Sequence, residues 1–161
     1  MKQPEQQELA EHIHASIKRV NRIISNCLQF SKDFKPRDES IHSVKAFIEE
    51  AIDTLEHRLV DSAVTISVNV QGDKVKNVDR YLMAQVLTNL VSNAIEAVRE
   101  RLTKDKGCEA KVIIESIVND NGWTLAVRDS GVVISPESRE KIFDPFFSTK
   151  TSGTGLGLAV V

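Results

Sequence analysis

"LMAQVLTNLVSNAIEAV", residues 82–98, is the most informative segment of the sequence. Nearly every position in it is apolar or small, but one polar stripe interrupts the pattern, with its members four, four and three residues apart: Gln85, Asn89, Asn93 and Glu96. A step of four residues turns an α-helix about 40° past a full circle, so these side chains project from one face. The sequence therefore predicts a long, largely buried helix with a polar seam, which Asp79 caps and which continues to about Leu102.

The two asparagines of this seam require an explanation, because asparagine inside a helix is less favourable than alanine by about 0.5 kcal/mol of helix stability. Two explanations are open. Asn89 and Asn93 could be core amides with ordinary hydrogen bonds, which the helix by itself favours because such amides are common. They could instead form a cation and phosphate site, since a carboxamide oxygen is a hard ligand of the kind that Mg²⁺ accepts.

The sequence on either side predicts a mixture of helix and strand. A second helix is predicted over residues 43–59. Alternating apolar residues predict strands over residues 64–70, 110–118 and 123–128. The last two strands are joined by Asn119-Asp120-Asn121-Gly122, whose Asn-Gly pair favours a tight hairpin turn.

Residues 9–32 carry a narrow apolar stripe with a period near 3.5 residues, as in a bundle or coiled coil. This pattern predicts a long amphipathic helix that needs a partner helix. Pro36 cannot continue a helix and also disfavours helix at the residue before it. We therefore place a domain boundary there, between residues 1–35 and residues 36–161.

The composition excludes several classes of partner. The formal net charge of −2 creates no field that would gather nucleic acid or anionic lipid, so neither is expected to bind. No apolar run reaches about 18 residues, which predicts a soluble, cytoplasmic chain without membrane contact. Cys27 and Cys108 match no metal-ligand spacing, and we expect both to be reduced structural thiols.

Asp129-Ser130-Gly131 follows the last predicted strand, and loops at strand ends are common places for ligand contacts. The Asp129 carboxylate could accept a hydrogen bond from an exocyclic amine, and Gly131 would let a flat ring approach the backbone. A plain turn is the alternative, because three residues of this kind often occur by chance.

The last residues, "GTGLGLAVV", run from a glycine-rich loop into a predicted helix start, where backbone N–H groups and the helix dipole favour an anion. Lys150 could add a positive charge. The spacing matches neither a P-loop nor a dinucleotide fingerprint, and a merely flexible tail is the alternative. Against that alternative, three aromatic residues surround Pro145 and are predicted to fix the start of a mobile lid to the core: Phe143, Phe146 and Phe147.

In this order, these pieces resemble the nucleotide-binding domain of sensor histidine kinases, within the superfamily of Hsp90-like, gyrase-type and MutL-type ATPases. "NLVSNAIEA" looks like the asparagine box, "DSG" the first glycine box, "FDPFFSTK" the phenylalanine box and "GTGLGLAVV" the second glycine box. Residues 9–32, with "RVNRIISNCLQFSK", are similar to the second helix of the dimerisation and phosphotransfer hairpin.

The resemblance implies an α+β fold of the Bergerat type, a two-layer α/β sandwich in which helices cover one face of a mixed sheet, preceded by the long helix. It also implies that the C-terminal part of that fold is missing. We expect uncovered apolar sheet surface as a result, with weak stability or self-association.

The resemblance further implies ATP and Mg²⁺ as cofactors. Asn93 would ligate the magnesium, with Asn89 beside the phosphates; Asp129 would hold the adenine amine, with Gly131 against the ring. The phosphates would be held, as the lid closes, by Lys150 and by the backbone at three glycines: Gly153, Gly155 and Gly157. Related ATPases that hydrolyse ATP have a glutamate general base at position 89. An asparagine cannot take a proton, so transfer to a protein nucleophile is favoured over hydrolysis.

The implied function is that of a histidine kinase core. It would transfer the γ-phosphoryl group of ATP to a histidine and then to the aspartate of a response regulator, in a homodimer formed through residues 9–32. The accepting histidine is followed in this family by an acidic residue and, shortly after, a proline. None of the four histidines here has that context: His12, His14, His42 and His57. We therefore expect the acceptor to lie outside this chain.

Position 133 departs from the family pattern, which has a glycine where this chain has Val133. Valine resists positive φ and adds bulk near the expected nucleotide, which favours an alternative function as a catalytically degenerate scaffold that docks partners or dimerises. A serine kinase of the anti-sigma type and a free-standing ATPase are further alternatives. Residues 9–32 argue against both, because neither needs a dimerisation helix there.

Overall fold

The computed structural model describes residues 37–55, 59, 63–150, 155–159 and 161. The helix predicted over residues 9–32 and the domain boundary predicted at Pro36 lie outside these residues, so both remain predictions.

The described residues form three helices and five strands. In chain order they are β1 (Glu39–Ile41), α1 (Val44–Asp53), β2 (Thr65–Gln71), β3 (Val75–Val78), α2 (Arg80–Lys104), β4 (Lys111–Asn119), β5 (Gly122–Asp129) and α3 (Pro136–Arg139).

Helix α2 confirms the helix predicted from residues 82–98. Asp79 is its N-cap, and the Asp79 Oδ1 atom accepts a hydrogen bond from the Leu82 backbone N–H at 3.0 Å. The helix ends at Lys104, where the backbone N–H of Asp105 donates to the Arg101 carbonyl at 2.8 Å. One face is buried over its middle part, with Leu87, Val91, Ala94, Ile95 and Val98. The helix therefore forms the centre of the helical layer.

Strands β2, β4 and β5 form a mixed sheet in that order. β2 pairs parallel to β4, with Thr65 opposite Lys111, and β4 pairs antiparallel to β5, with Asn119 opposite Gly122. This register confirms both the mixed sheet and the tight hairpin. Strands β1 and β3 form a separate antiparallel pair, which the sequence did not predict because each strand has only three or four residues.

The helices cover one face of the mixed sheet, which confirms the predicted two-layer arrangement. Along β4, Val112, Ile114 and Ser116 point into the core and are fully buried, whereas the residues between them are partly exposed. Helix α1 packs against α2 and β2, and α2 packs against β4 and β5. Seven of the side chains that fill the space between the layers are Phe47, Ile48, Leu87, Val91, Ile95, Val112 and Ile114.

Aromatic contacts join α1 to the sheet. The rings of Phe47 and Trp123 meet edge to face, with centroids 6.0 Å apart, and the Arg80 guanidinium lies 5.5 Å from the Phe47 ring centroid. Trp123 Nε1 donates a hydrogen bond to the buried Ser116 Oγ at 2.9 Å. The only tryptophan of the chain is therefore fixed by packing and by a hydrogen bond at once.

Helix α1 is shorter than the predicted residues 43–59. Ser43 is its N-cap and accepts a hydrogen bond from the Ala46 backbone N–H. The regular helix ends at Asp53, and Thr54 folds back so that its hydroxyl donates to the Ala51 carbonyl at 2.7 Å. A threonine side chain that bonds the preceding turn competes with continued helix, which explains the early end.

The Asp79 carboxylate also fixes the segment before β1, because its Oδ2 atom accepts a hydrogen bond from the Arg37 backbone N–H at 2.8 Å. Burial by itself would raise the pKa of Asp79, but the backbone hydrogen bonds outweigh it and hold the pKa below its usual value. The ionised carboxylate therefore stabilises the folded chain. This contribution is complete above the pKa of the unfolded chain and is lost as the pH falls through the lower folded pKa.

Replacing Asp79 with alanine is expected to lower the free energy of unfolding at neutral pH by about 2 kcal/mol, because it removes a cap and a second hydrogen bond. The difference from wild type should shrink as the pH falls below the pKa of the unfolded chain and through the lower folded pKa of Asp79. Urea denaturation over a pH series measures both effects. Asp73→Ala, at an exposed aspartate in the preceding turn, is the control. A difference that stays constant down to acid pH would contradict the assigned role of the charge.

Candidate functional site

The polar seam of α2 contacts the glycine-rich segment near the end of the chain. Asn89 Nδ2 donates a hydrogen bond to the Gly157 carbonyl at 3.0 Å, across 68 positions of sequence. A side chain at position 157 would begin 3.7 Å from the Asn89 amide, so the two residues are in direct contact. The structure therefore brings together two of the residues predicted for the site.

Asn93 lies one turn further along the same face and is half-buried. Within the described residues, its side-chain amide makes no hydrogen bond, in contrast to that of Asn89. The explanation by two satisfied core amides therefore fits Asn89 but not Asn93. The Asn93 carboxamide oxygen is therefore available to a ligand.

Lys150 reaches the seam from the segment that precedes the glycines. Its Nζ donates to Glu96 Oε2 in an ion pair, and both side chains remain partly exposed. Glu96 is three residues after Asn93, so Lys150 lies about one helical turn from the Asn93 amide. The sequence placed Glu96 on the polar stripe but did not identify it as the partner of Lys150.

The donor set fits a magnesium ion that takes most of its ligands from phosphate and water. In the described part of the chain, no group of three or more His, Cys, Asp or Glu side chains could hold a metal ion by itself. The seam offers amide oxygens, and Mg²⁺ binds with one or two protein ligands when substrate phosphates complete its shell. Asn93, whose side-chain oxygen makes no hydrogen bond within the described residues, is suited to be such a protein ligand.

The glycine segment packs against the backbone of Phe146. The Phe146 backbone N–H donates to the Gly155 carbonyl at 2.8 Å. A Cβ at position 155 would lie 2.3 Å from the Phe146 carbonyl carbon, and Gly155 has φ +65, so only glycine fits there.

The prediction that the aromatic residues fix this segment to the core is wrong for two of them. Phe143 and Phe146 are 58% and 71% exposed, and Phe147 is half-buried. Phe146 has φ 69, a left-handed conformation that is unusual for a bulky residue. The buried anchor is instead Leu156, which lies between two glycines and is 1% exposed.

The helix predicted to start after the glycines is not found in the described residues. Residues 157–159 form a turn, and the Val161 backbone N–H donates to the Leu158 carbonyl at 3.2 Å. The expected helix dipole therefore gains no support there. Gly153 lies outside the described residues, and its predicted role remains a prediction.

The turn at Asp129 packs directly on α2. Asp129 is exposed at the end of β5, and its Oδ1 atom accepts a hydrogen bond from the Gly131 backbone N–H at 2.8 Å. A Cβ at position 131 would lie 2.4 Å from the Ala97 carbonyl carbon. The Val132 backbone N–H donates to the Ala97 carbonyl at 3.1 Å. The close contact with the helix therefore requires glycine at position 131. The sequence did not reveal this role.

Val133 does not strain the backbone of the first glycine box. Among the described residues other than glycine, only Asn77 and Phe146 have positive φ. The Val133 side chain is 82% exposed, so it lies in solvent rather than in the core. The conformational objection to valine at this position therefore does not apply.

Three segments distant in sequence thus meet on one stretch of α2. Gly157 contacts Asn89, Lys150 contacts Glu96, and Gly131 contacts Ala97. The eight helical steps from residue 89 to residue 97 span about 12 Å. Along this stretch the helix carries two amide side chains and contacts Lys150 and the turn that follows Asp129.

Comparison with known proteins identifies the family. Residues 78–161, more than half of the chain, match the family model described as histidine kinase-, DNA gyrase B- and HSP90-like ATPase. The chain belongs to this family. It is also similar to the signal transduction histidine-protein kinase AtoS of Escherichia coli, with 31% identity over 159 residues that cover 98% of this chain and 25% of AtoS. The chain therefore spans about a quarter of the length of that relative.

Solved structures of histidine kinases have the same fold. The catalytic domain of histidine kinase ThkA is 33% identical, with a TM-score of 0.63, over 77% of this chain and 76% of that chain. ThkA in complex with the response regulator protein TrrA is 27% identical, with a TM-score of 0.66, over 92% of this chain and 42% of that chain. The predicted family and fold class are thereby confirmed.

Helices long and apolar enough to cross a membrane are absent from the part of the chain that the structure describes.

Proposed function

We propose that this chain is the ATP-binding part of a sensor histidine kinase core. It binds ATP with Mg²⁺ and positions the γ-phosphoryl group for transfer to a histidine outside this chain, from which it passes to a response-regulator aspartate. The observation that carries this proposal is the convergence of three family motifs on α2, through the contacts of Asn89, Glu96 and Ala97.

Each part of the nucleotide has a candidate partner on the chain. Asn93 would ligate Mg²⁺ through its unengaged oxygen, and Asn89 would lie beside the phosphates. Lys150 and the backbone at Gly153, Gly155 and Gly157 would bind the phosphates. The exposed Asp129 carboxylate would accept a hydrogen bond from the adenine amine, next to Gly131. Mg²⁺, when bound, would neutralise negative charge on the phosphates.

The chemistry of the seam favours transfer over hydrolysis. Asn89 donates an amide hydrogen to the Gly157 carbonyl, and an amide cannot act as the general base that would activate water. The residues of this chain therefore bind and orient the nucleotide, and the attacking nucleophile comes from elsewhere.

The proposal includes the parts of the kinase that lie outside the described residues. The division into residues 1–35 and 36–161, and dimerisation through residues 9–32, follow from the sequence pattern. A response regulator is the proposed partner, supported by the ThkA complex with TrrA. A cytoplasmic location, without nucleic-acid or membrane contact by this chain, is proposed from composition and charge.

A transfer assay tests the function directly. The chain is mixed with Mg²⁺, ATP labelled on its γ-phosphate, and a separately produced helical hairpin that carries an accepting histidine. We expect label on that histidine in an acid-labile form, because a phosphorylated histidine hydrolyses in acid. The label should be lost when Mg²⁺ is chelated and when the histidine is replaced by alanine. A degenerate scaffold would leave the hairpin unlabelled, even if the chain binds it.

A further inference from the structure

Ser130 lies between the two residues assigned to the adenine and makes hydrogen bonds through its side chain and its backbone. Its hydroxyl donates to the Glu109 carbonyl at 2.5 Å and accepts from the Lys111 backbone N–H at 2.9 Å. Its backbone N–H donates to the Lys111 carbonyl at 3.0 Å. The turn is thus joined by two hydrogen bonds to the first residue of β4 and by one to the segment just before it.

Arg101 holds the same residue from the helical layer. Its guanidinium Nη1 donates to the Ser130 carbonyl at 2.7 Å, from the last turn of α2. The contact of Gly131 with Ala97 lies one turn earlier on the same helix. Ser130 is therefore held by the sheet on one side and by α2 on the other.

We propose that Ser130 and Arg101 are positioning residues that fix the Asp129 carboxylate and thereby determine the selectivity of the site for the adenine amine. This inference rests on the proposed function, in which Asp129 accepts a hydrogen bond from that amine. Neither residue needs to touch the nucleotide.

The geometry around Asp129 explains why the position of its carboxylate would determine selectivity for the adenine amine. Asp129 Oδ1 is used by the Gly131 backbone N–H, whereas Oδ2 accepts no hydrogen bond within the described residues. Asp129 is itself exposed, so its direction depends on the backbone that carries it. Hydrogen bonds weaken steeply when the donor angle is poor, so a turn that shifts loses the amine contact before it loses the rest of the nucleotide.

The experiment compares two nucleotides that differ only in the amine. ATP and purine riboside triphosphate carry the same phosphates, but the second lacks the exocyclic amine. With Mg²⁺ present, calorimetric titration of the 161-residue chain is expected to give about tenfold tighter binding of ATP, the value of one charge-assisted hydrogen bond. Asp129→Ala should abolish this preference. It therefore defines the largest loss of ATP selectivity that a positioning variant could cause.

Ser130→Ala and Arg101→Ala are the test variants. Each should weaken ATP binding by about fivefold and leave the analogue within about twofold, because only the directional contact is lost. Lys104→Ala is the matched control, since Lys104 lies in the same last turn and pairs with Glu100 on the exposed surface. Arg101 is exposed, so its variant keeps the test valid if Ser130→Ala fails to fold.

The possible failures are distinguishable. If the wild-type chain binds neither nucleotide, the proposed function fails and this inference fails with it. If wild type binds both equally, the amine contact of Asp129 is wrong, and so is the inference. If wild type prefers ATP and both variants keep that preference, or weaken the two nucleotides equally, the inference alone is wrong.

Discussion

Replacing Gly131 with alanine is expected to lower the free energy of unfolding by about 3 kcal/mol, the upper range for overpacking a tight contact. The added methyl group would lie 2.4 Å from the Ala97 carbonyl carbon and 2.6 Å from the Val98 backbone nitrogen. These are backbone atoms inside a regular helix, so they cannot move aside as a flexible side chain could. The turn must separate from α2, and Asp129 moves with it.

Gly107→Ala is the matched control. A Cβ at position 107 would meet only Asp105 Oδ1, at 3.5 Å, and Gly107 does not have positive φ. The substitution is therefore expected to be neutral or to stabilise the chain by about 0.5 kcal/mol, since alanine restricts the unfolded state. Urea denaturation of wild type and both variants measures the difference. Equal midpoints for the two alanine variants would mean that Gly131 does not pack against the helix as described.

Asn93→Ala is expected to weaken Mg²⁺-dependent ATP binding by at least about 100-fold, because even residues that only orient metal ligands are worth 10- to 100-fold in affinity. The same change should leave the melting temperature unchanged or slightly higher. Alanine is the better helix former by about 0.5 kcal/mol, and the Asn93 side chain has no hydrogen bond to lose within the described residues. Loss of binding without loss of stability separates a ligand from a structural amide.

Calorimetric titrations with Mg²⁺ and with a chelator measure this effect. Wild type and Asn93→Ala should bind ATP equally weakly once the metal is removed. Asn69→Ala, which removes an exposed asparagine from β2, should behave as wild type under both conditions. If Asn93→Ala binds ATP as tightly as wild type when Mg²⁺ is present, the metal role of Asn93 is wrong.

The sequence predicted the elements whose patterns are long and local. The 25-residue helix α2 follows from the helical pattern of residues 82–98 and from a capping aspartate. The β4–β5 hairpin follows from two alternating runs around a turn that the chain itself specifies. In both cases the neighbouring residues carry the information, so no distant contact is needed to read it.

Strands β1 and β3 could not be predicted in this way. They pair Glu39 with Val78 and Ile41 with Val75, and each strand is too short to display alternation. The two strands are separated in the sequence by α1 and β2, so they meet only in the folded chain. A pattern read along the sequence has no access to such contacts.

The sequence predicted residues of the candidate site, but not the residues that hold them in place. The contact of Asn89 with Gly157 agrees with the expected closeness of the two motifs. The supports at Ser130 and Arg101 were missed, because serine in a turn and arginine near a helix end are ordinary residues there. The exposed Phe146 shows the opposite error, in which hydrophobicity alone suggested burial.

Trp123 gives the molecule a built-in optical reporter. Its indole is packed edge to face against Phe47 of α1 and bonded to Ser116 of β4, so its emission depends on the two layers being joined. Separation of the layers should shift that emission to the red, while far-ultraviolet circular dichroism would still record intact helices. A ligand that closes the glycine segment without disturbing the layers should leave the emission maximum unchanged.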